Sequence, residues 1–165
     1  MNSANTTEVS DAALLDVHLA DEDINQFNVY RITETTVPDR FPVFLRKEND
    51  HHANRTDLLT DQHQVDEEVA RLRDSGEDLT PWIMVAWCDV SDADGVFTCY
   101  SAFCVNGTII PHHVFFSHRW VIKSQHLFGT EWLAKEMDYM RTTPHEEELR
   151  QIFRLAQIDY GRIDY

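Results

Sequence analysis

Phe97–Lys123 reads FTCYSAFCVNGTIIPHHVFFSHRWVIK, and the fold turns on how this stretch pairs with itself. Two runs of β-branched and aromatic residues meet at Asn106-Gly107. That dipeptide is the preferred centre of a two-residue type I′ hairpin turn, because both positions need positive φ. Such a turn sets Val105 opposite Thr108, Phe103 opposite Ile110, Cys99 opposite Val114 and Phe97 opposite Phe116. The expected core face is then Phe97, Cys99, Phe103, Val105, Ile110, Val114 and Phe116. Thr98, Tyr100, His113, Phe115, Arg119 and Lys123 take the other face. A strand dry on one side and aromatic and basic on the other predicts a sheet that covers a core and presents a ligand surface. Pro111 cannot donate to the ladder, which predicts an edge strand or a bulge there.

Downstream of the hairpin, the spacing predicts a helix over Glu131 to Met140 that buries Leu133, Met137 and Met140. Thr143-Pro144-His145-Glu146 predicts the start of a second helix, with Thr143 as N-cap and Pro144 at the first helical position. Leu149, Ile152, Phe153 and Ala156 form its apolar face. The final residues, YGRIDY, read as the opening of a strand, as though a longer protein would continue from here. Upstream of the hairpin, Trp82 to Val90 reads as a buried strand, and Ser91 to Gly95 as an acidic turn. Asp61 is positioned to cap a helix over Gln62 to Asp74, with Val65, Val69 and Leu72 inward and Gly76 ending it. Lys47 to Asp61 is a long polar connection, and long loops in compact domains are often functional. Short strands are expected within Asn28–Thr36 and at Phe41–Arg46, and a short amphipathic helix within Asp11–Gln26. This order predicts an α+β fold with mostly antiparallel pairing, the hairpin over residues 97–123 at its centre and helices packed against it.

A chain of 165 residues with 42% hydrophobic content supports one domain, or two small lobes, with a real core. The formal charge of −15 argues against direct nucleic-acid binding, which needs clustered Lys and Arg on phosphates. It leaves open a small acidic interaction or inhibitor protein of the nucleic-acid-mimic type. The three cysteines have no CxxC spacing and read as reduced thiols of a cytoplasmic protein. No secretory signal and no membrane span is expected. The nine histidines include the pairs His51-His52 and His112-His113, but no HxxxH or HExxH spacing. Adjacent histidines on an extended chain point to opposite faces, so a zinc site is the minor reading. GxSxG, Walker A and GxGxxG motifs are absent.

What remains is a pattern of placement. Pro42 to Arg46 (PVFLR) ends a strand in a cation before a polar loop; Ile83 to Val90 (IMVAWCDV) runs from a buried strand into acid. Cys104 to Trp120 (CVNGTIIPHHVFFSHRW) is the hairpin with cations beyond it, and Tyr160 to Tyr165 (YGRIDY) carries an Asp on a late strand. This order resembles the ATP-grasp superfamily over roughly residues 41–165, with residues 1–40 forming an N-terminal tail, short helix and strand. The resemblance implies two α+β lobes gripping ATP with Mg2+, and carboxylate–amine ligation through an acyl phosphate. It implies Arg46 on the nucleotide phosphates and a flap over them through His51 and His52. It implies an adenine hinge at Ala86, Trp87 and Cys88, cations near the substrate or the γ-phosphate at Arg119 and Lys123, and a magnesium-binding carboxylate at Asp164. The partners implied are a nucleotide and a carboxylate substrate. The flap lacks the glycines usual in the family, and Ala86 stands where an acidic hinge residue is common.

Overall fold

The computed structural model describes residues 27–48, 56–121 and 126–165. They divide into two compact units, the first ending at Cys88 and the second beginning at Asp89.

The first unit contains β1 (Val29–Arg31), β2 (Val43–Lys47), α1 (Gln62–Asp74) and β3 (Trp82–Ala86). The sheet order is β1-β3-β2, all antiparallel. β3 is central and buried along its whole length, which is why WIMVA is a continuous apolar run rather than an alternating one. Trp82 and Met84 face a core with Val43, Leu45, Val65, Val69 and Leu72. Ile83 and Val85 face the opposite side with Phe27, Val29 and Phe44. Asp61 caps α1 by accepting from the Gln64 N–H at 3.0 Å, and Gly76 follows with φ +77°. β1 is shorter than the expected strand because Glu34 and Thr35 donate back to the Arg31 carbonyl and close a turn. β3 likewise stops at Ala86 instead of running to Val90. The helix expected within Asp11–Gln26 lies outside the described residues.

The second unit contains β4 (Phe97–Val105), β5 (Thr108–Ser117), α2 (Thr130–Thr142), α3 (Glu146–Leu155) and β6 (Tyr160–Asp164). Its sheet is antiparallel in the order β5-β4-β6. Asn106 and Gly107 take φ of 48° and 77°, the two positive values a type I′ turn requires. Near the turn the expected register holds, with Val105 opposite Thr108 and Phe103 opposite Ile110. At Pro111–His113 the register shifts by one residue, so Cys99 faces Phe115 and Phe97 faces Ser117, not Val114 and Phe116. The bulge falls where Pro111 denies the ladder a donor.

The face assignment needs correction. The core side of β4 is Tyr100, Ala102 and Cys104, and Phe97, Cys99, Phe103 and Val105 lie on the other side. Val114 and Phe116 are buried as expected, whereas Ile110 is exposed and Ile109 takes its place. Both faces of β4 are apolar enough to serve. The small Ala102 and Cys104 win because they let α3 approach with Leu149 and Phe153.

Three further expectations change. Leu133, Met137 and Met140 are 54%, 45% and 44% exposed, so they are not the buried face of α2. Tyr139 is buried instead, with its ring 5.0 Å from that of Tyr100, and Trp132 packs on Phe116 at 4.8 Å. One buried aromatic with a satisfied hydroxyl outweighs a flexible Met contact. Thr143 is not an N-cap: at φ 44° it closes α2 by donating to the Tyr139 carbonyl at 3.0 Å. α3 starts three residues later, with Glu146, Glu147 and Glu148 at its positive end. The hairpin strand itself ends at Ser117, so Arg119 is not on it. Gly161 in β6 has a packing reason: a Cβ there would lie 2.9 Å from Ile158 Cγ2 and 3.6 Å from Phe153 Cε1.

Candidate functional site on the open face of the β5-β4-β6 sheet

Pairing across the second sheet places His113, Ser101 and Asp164 in one row, with Phe103 and Arg162 paired two residues along from Ser101 and Asp164. Ser101, on the central strand, is fully buried, and its hydroxyl donates to Asp164 Oδ1 at 2.8 Å. Arg162 Nη2 donates to Asp164 Oδ2 at 2.9 Å. Both oxygens of the carboxylate are therefore engaged, one by a buried hydroxyl and one by a half-exposed guanidinium. Tyr139 Oη donates to the Ser101 carbonyl at 3.0 Å and meets Tyr165 Oη at 3.3 Å. The Tyr165 hydroxyl also meets His145 Nδ1 at 3.0 Å. Burial, then the Tyr139 hydrogen bond, holds Tyr165 far above its ordinary pKa, so its hydroxyl stays protonated. The residue next to Asp164 is thus tied to two helices.

On the same open face the rings of Phe103, His112, His113, Phe115, His126 and Phe128 follow one another at 5.0, 4.4, 4.2, 4.2 and 6.1 Å. Burial, and then the neighbouring His112, pushes the His113 imidazole below its usual pKa. Burial, and then the charge of Asp164, pushes the Cys99 thiol up. The thiolate is the reactive form, so a raised pKa means less of it at pH 8. Iodoacetamide at pH 8 should therefore alkylate Cys99 in the folded chain more slowly than in the urea-unfolded chain, as read by mass spectrometry of its peptide. Equal rates would contradict the burial and charge assigned to it.

The residues expected to form a nucleotide site divide between the units. Arg46 is half-buried on β2 and donates to the Glu48 carbonyl at 3.4 Å. Ala86 closes β3 and is buried; Trp87 and Cys88 follow, half-buried, with the Trp87 N–H on the Pro42 carbonyl at 2.9 Å. The proposed hinge thus ends where the first unit ends. Arg119 is exposed in a bend after β5, its backbone N–H on Ser117 Oγ at 3.0 Å, and Asp164 is on β6. His51, His52 and Lys123 lie outside the described residues. Sequence reasoning missed Ser101 and Arg162. The signal was present in the pairing of SAFCV with YGRID, which becomes visible only once β6 is laid antiparallel to β4.

Magnesium requires about six oxygen ligands in near-octahedral geometry. Among the described residues no group of three His, Cys, Asp or Glu side chains is arranged to hold a metal. Asp164 offers one carboxylate, already bonded to Ser101 and Arg162, so the described residues as arranged do not fit a magnesium ion. Among them, too, no helix is long and apolar enough to cross a membrane.

By sequence, the chain matches no protein-family model and no curated protein. By structure it is similar to the L-amino acid ligase of Bacillus licheniformis, with a TM-score of 0.54, 10% identity and 92% of this chain covered. It also aligns with the D-alanine–D-alanine ligase of Bacillus anthracis, at a TM-score of 0.49 both alone and complexed with ATP, 9% and 11% identical and over 93% of this chain. The chain spans 34% of the first protein's length and 49% to 51% of the second's. At such identity the likeness is one of fold: the chain has the α+β fold of the ATP-grasp ligases.

Proposed function

We propose that this chain is the ATP-binding part of a carboxylate–amine ligase of the ATP-grasp kind, carried by residues 41–165. The observation that carries this reading is the fold likeness to an L-amino acid ligase over 92% of the chain. In this reading Arg46, with His51 and His52 beside it in sequence, engages the nucleotide phosphates. Ala86, Trp87 and Cys88 hold adenine, mainly through backbone groups at the end of β3. Arg119 and Lys123 neutralise charge that builds on the transferring phosphoryl group. Fixed cations placed where charge develops are the main requirement of phosphoryl transfer. A substrate carboxylate oxygen takes the γ-phosphoryl group and ADP departs. An amine then attacks the acyl carbon, and inorganic phosphate leaves.

A ligand that binds only the folded state raises its apparent stability by mass action. ATP at about 100 times its dissociation constant should therefore stabilise the chain by about 2.7 kcal/mol, a rise of several degrees in melting temperature. A cooperative melt that ATP does not move, with or without Mg2+, would reject the reading. The formal charge of −15 favours a second reading, an acidic protein that binds a basic partner without catalysis. That reading requires binding that falls steeply with salt and ignores ATP.

A further inference from the structure

The helix side of the β5-β4-β6 sheet carries a cavity of about 390 Å3, opposite the open face. It lies between α3 and the Asn106-Gly107 turn, with Arg150, Arg154, Phe153, Ile158 and Asp159 around it. We infer that this cavity binds a small zwitterion with an apolar stem, of the α-amino acid class. The ligand's carboxylate meets Arg150 and Arg154, and its ammonium meets Asp159. Such a site stands apart from the proposed nucleotide site and would be occupied without ATP.

The walls are set by the backbone. α3 ends in a turn where Gln157 takes φ 55° and its N–H donates to the Arg154 carbonyl at 3.1 Å, while the Ile158 N–H donates to the Phe153 carbonyl at 3.0 Å. This Schellman closure turns the chain back beside the helix. The Asn106 N–H then donates to the Asp159 carbonyl at 2.7 Å, which ties that return to the hairpin turn. The cavity is thus preformed, and a preformed site costs a ligand little ordering. Its floor is apolar: Phe153 and Cys104 are buried and Ile158 is half-buried. Charges of both signs reach this cavity without reaching each other. Arg150 gives Nε and Nη2 to a single oxygen of Glu146, and Arg154 reaches Glu147 only at 3.4 Å. Both are exposed pairs, which hold weakly, and a guanidinium has five N–H donors to offer. The exposed Asp159 carboxylate has no hydrogen bond or ion pair among the described residues, so neither arginine closes on it. Opposite charges held apart around one cavity suit a molecule that carries both. A dianion such as inorganic phosphate would gain the guanidiniums but face Asp159, Glu146 and Glu147. A neutral apolar molecule would strip water from the charged groups and return nothing to them. Ligand sites run from roughly 300 to 1,000 Å3, and a cavity near the lower end suits one amino acid better than a nucleotide.

The test uses the full chain and L-leucine as the probe, followed through the amide resonances of Gly107, Gln157, Ile158 and Asp159. L-Leucine should move them saturably. 4-Methylpentanoate, which lacks the ammonium, and L-leucinamide, which lacks the carboxylate, should each bind at least about tenfold more weakly, the loss of one charge-assisted hydrogen bond. Arg154→Gln and Asp159→Asn should each cost L-leucine a similar factor. Asp159→Asn should also bring 4-methylpentanoate level with L-leucine, because the repelling carboxylate is gone. Both side chains are exposed, so each variant should melt within a few degrees of wild type. No saturable shift up to about 50 mM L-leucine would overturn the site. Equal binding of L-leucine and 4-methylpentanoate to the wild-type chain would overturn the zwitterion. Inorganic phosphate that displaces L-leucine at a tenth of its concentration would replace it with a plain anion site. Shifts of the same resonances that neither variant weakens would overturn the residues assigned. Neither residue belongs to the proposed nucleotide site, so failure of that reading would appear separately, as the absence of an ATP thermal shift, and would leave the L-leucine titrations in force.

Discussion

Arg46→Ala is expected to weaken ATP binding roughly ten- to hundredfold, the loss of one charge-assisted hydrogen bond to phosphate. The free chain should barely notice the change. Arg46 alternates with the inward Val43 and Leu45 of β2, and the hydrogen bond of its guanidinium to the Glu48 carbonyl is long at 3.4 Å. Its fold contribution is therefore small, while its position at the strand end, just before the polar loop, is where a phosphate ligand would be met. Arg46→Lys keeps the charge and loses the fork, so it should fall between the two. Isothermal titration with ATP separates the cases, with urea unfolding as the control for stability. Unchanged affinity in Arg46→Ala would remove the residue from the site and leave the phosphates without their best described cation in the first unit.

Phe153→Ala is the substitution with the largest expected cost to stability, about 3–5 kcal/mol. Phe153 lies on the buried face of α3 against Ala102, Cys104 and Ile109, and its ring edge lies 3.6 Å from where a Cβ at position 161 would stand. Removing it leaves a cavity lined by the strand that carries Ser101 and by the strand that carries Asp164. Against a total stability of about 5–15 kcal/mol for a typical domain, that is a large fraction. The urea midpoint should fall with the slope unchanged. A fall of less than about 1 kcal/mol would mean that α3 does not pack on the sheet as described.

Elements whose ends are marked by local chemistry were legible in the sequence. Asn106-Gly107 fixed the hairpin, Asp61 and Gly76 bracketed α1, and WIMVA could only be a strand buried on both faces. The late strand ending at Asp164 was legible too. Faces were not. β4 has hydrophobic residues at both odd and even positions, so alternation alone could not choose, and the choice came from α3 needing a shallow surface at Ala102 and Cys104. On α2, helical spacing picked Leu133, Met137 and Met140, but the partner surface was aromatic and selected Tyr139. Thr143-Pro144 reads equally as the end of one helix or the start of the next, and the left-handed backbone at Thr143 decided for the end. Of this cluster only Asp164 was singled out from the sequence, because the Ser101–Asp164 contact depends on strand pairing across more than sixty positions. No local pattern encodes that.

The extra residue at Pro111–His113 divides the returning strand into two segments of opposite parity. On the turn side odd-numbered Ile109 points inward; beyond the bulge the even-numbered Val114 and Phe116 do. A deletion of His112 would therefore restore an unbroken ladder: Pro111 would run straight into His113, and Val114 and Phe116 would keep their inward places opposite Tyr100 and Thr98. A deletion of Phe115 with the bulge kept would be a phase error instead, carrying Phe116 to an outward place. The strand should therefore accept the loss of one residue at the bulge and refuse it three positions on, a rule of arithmetic that side-chain chemistry alone would not suggest.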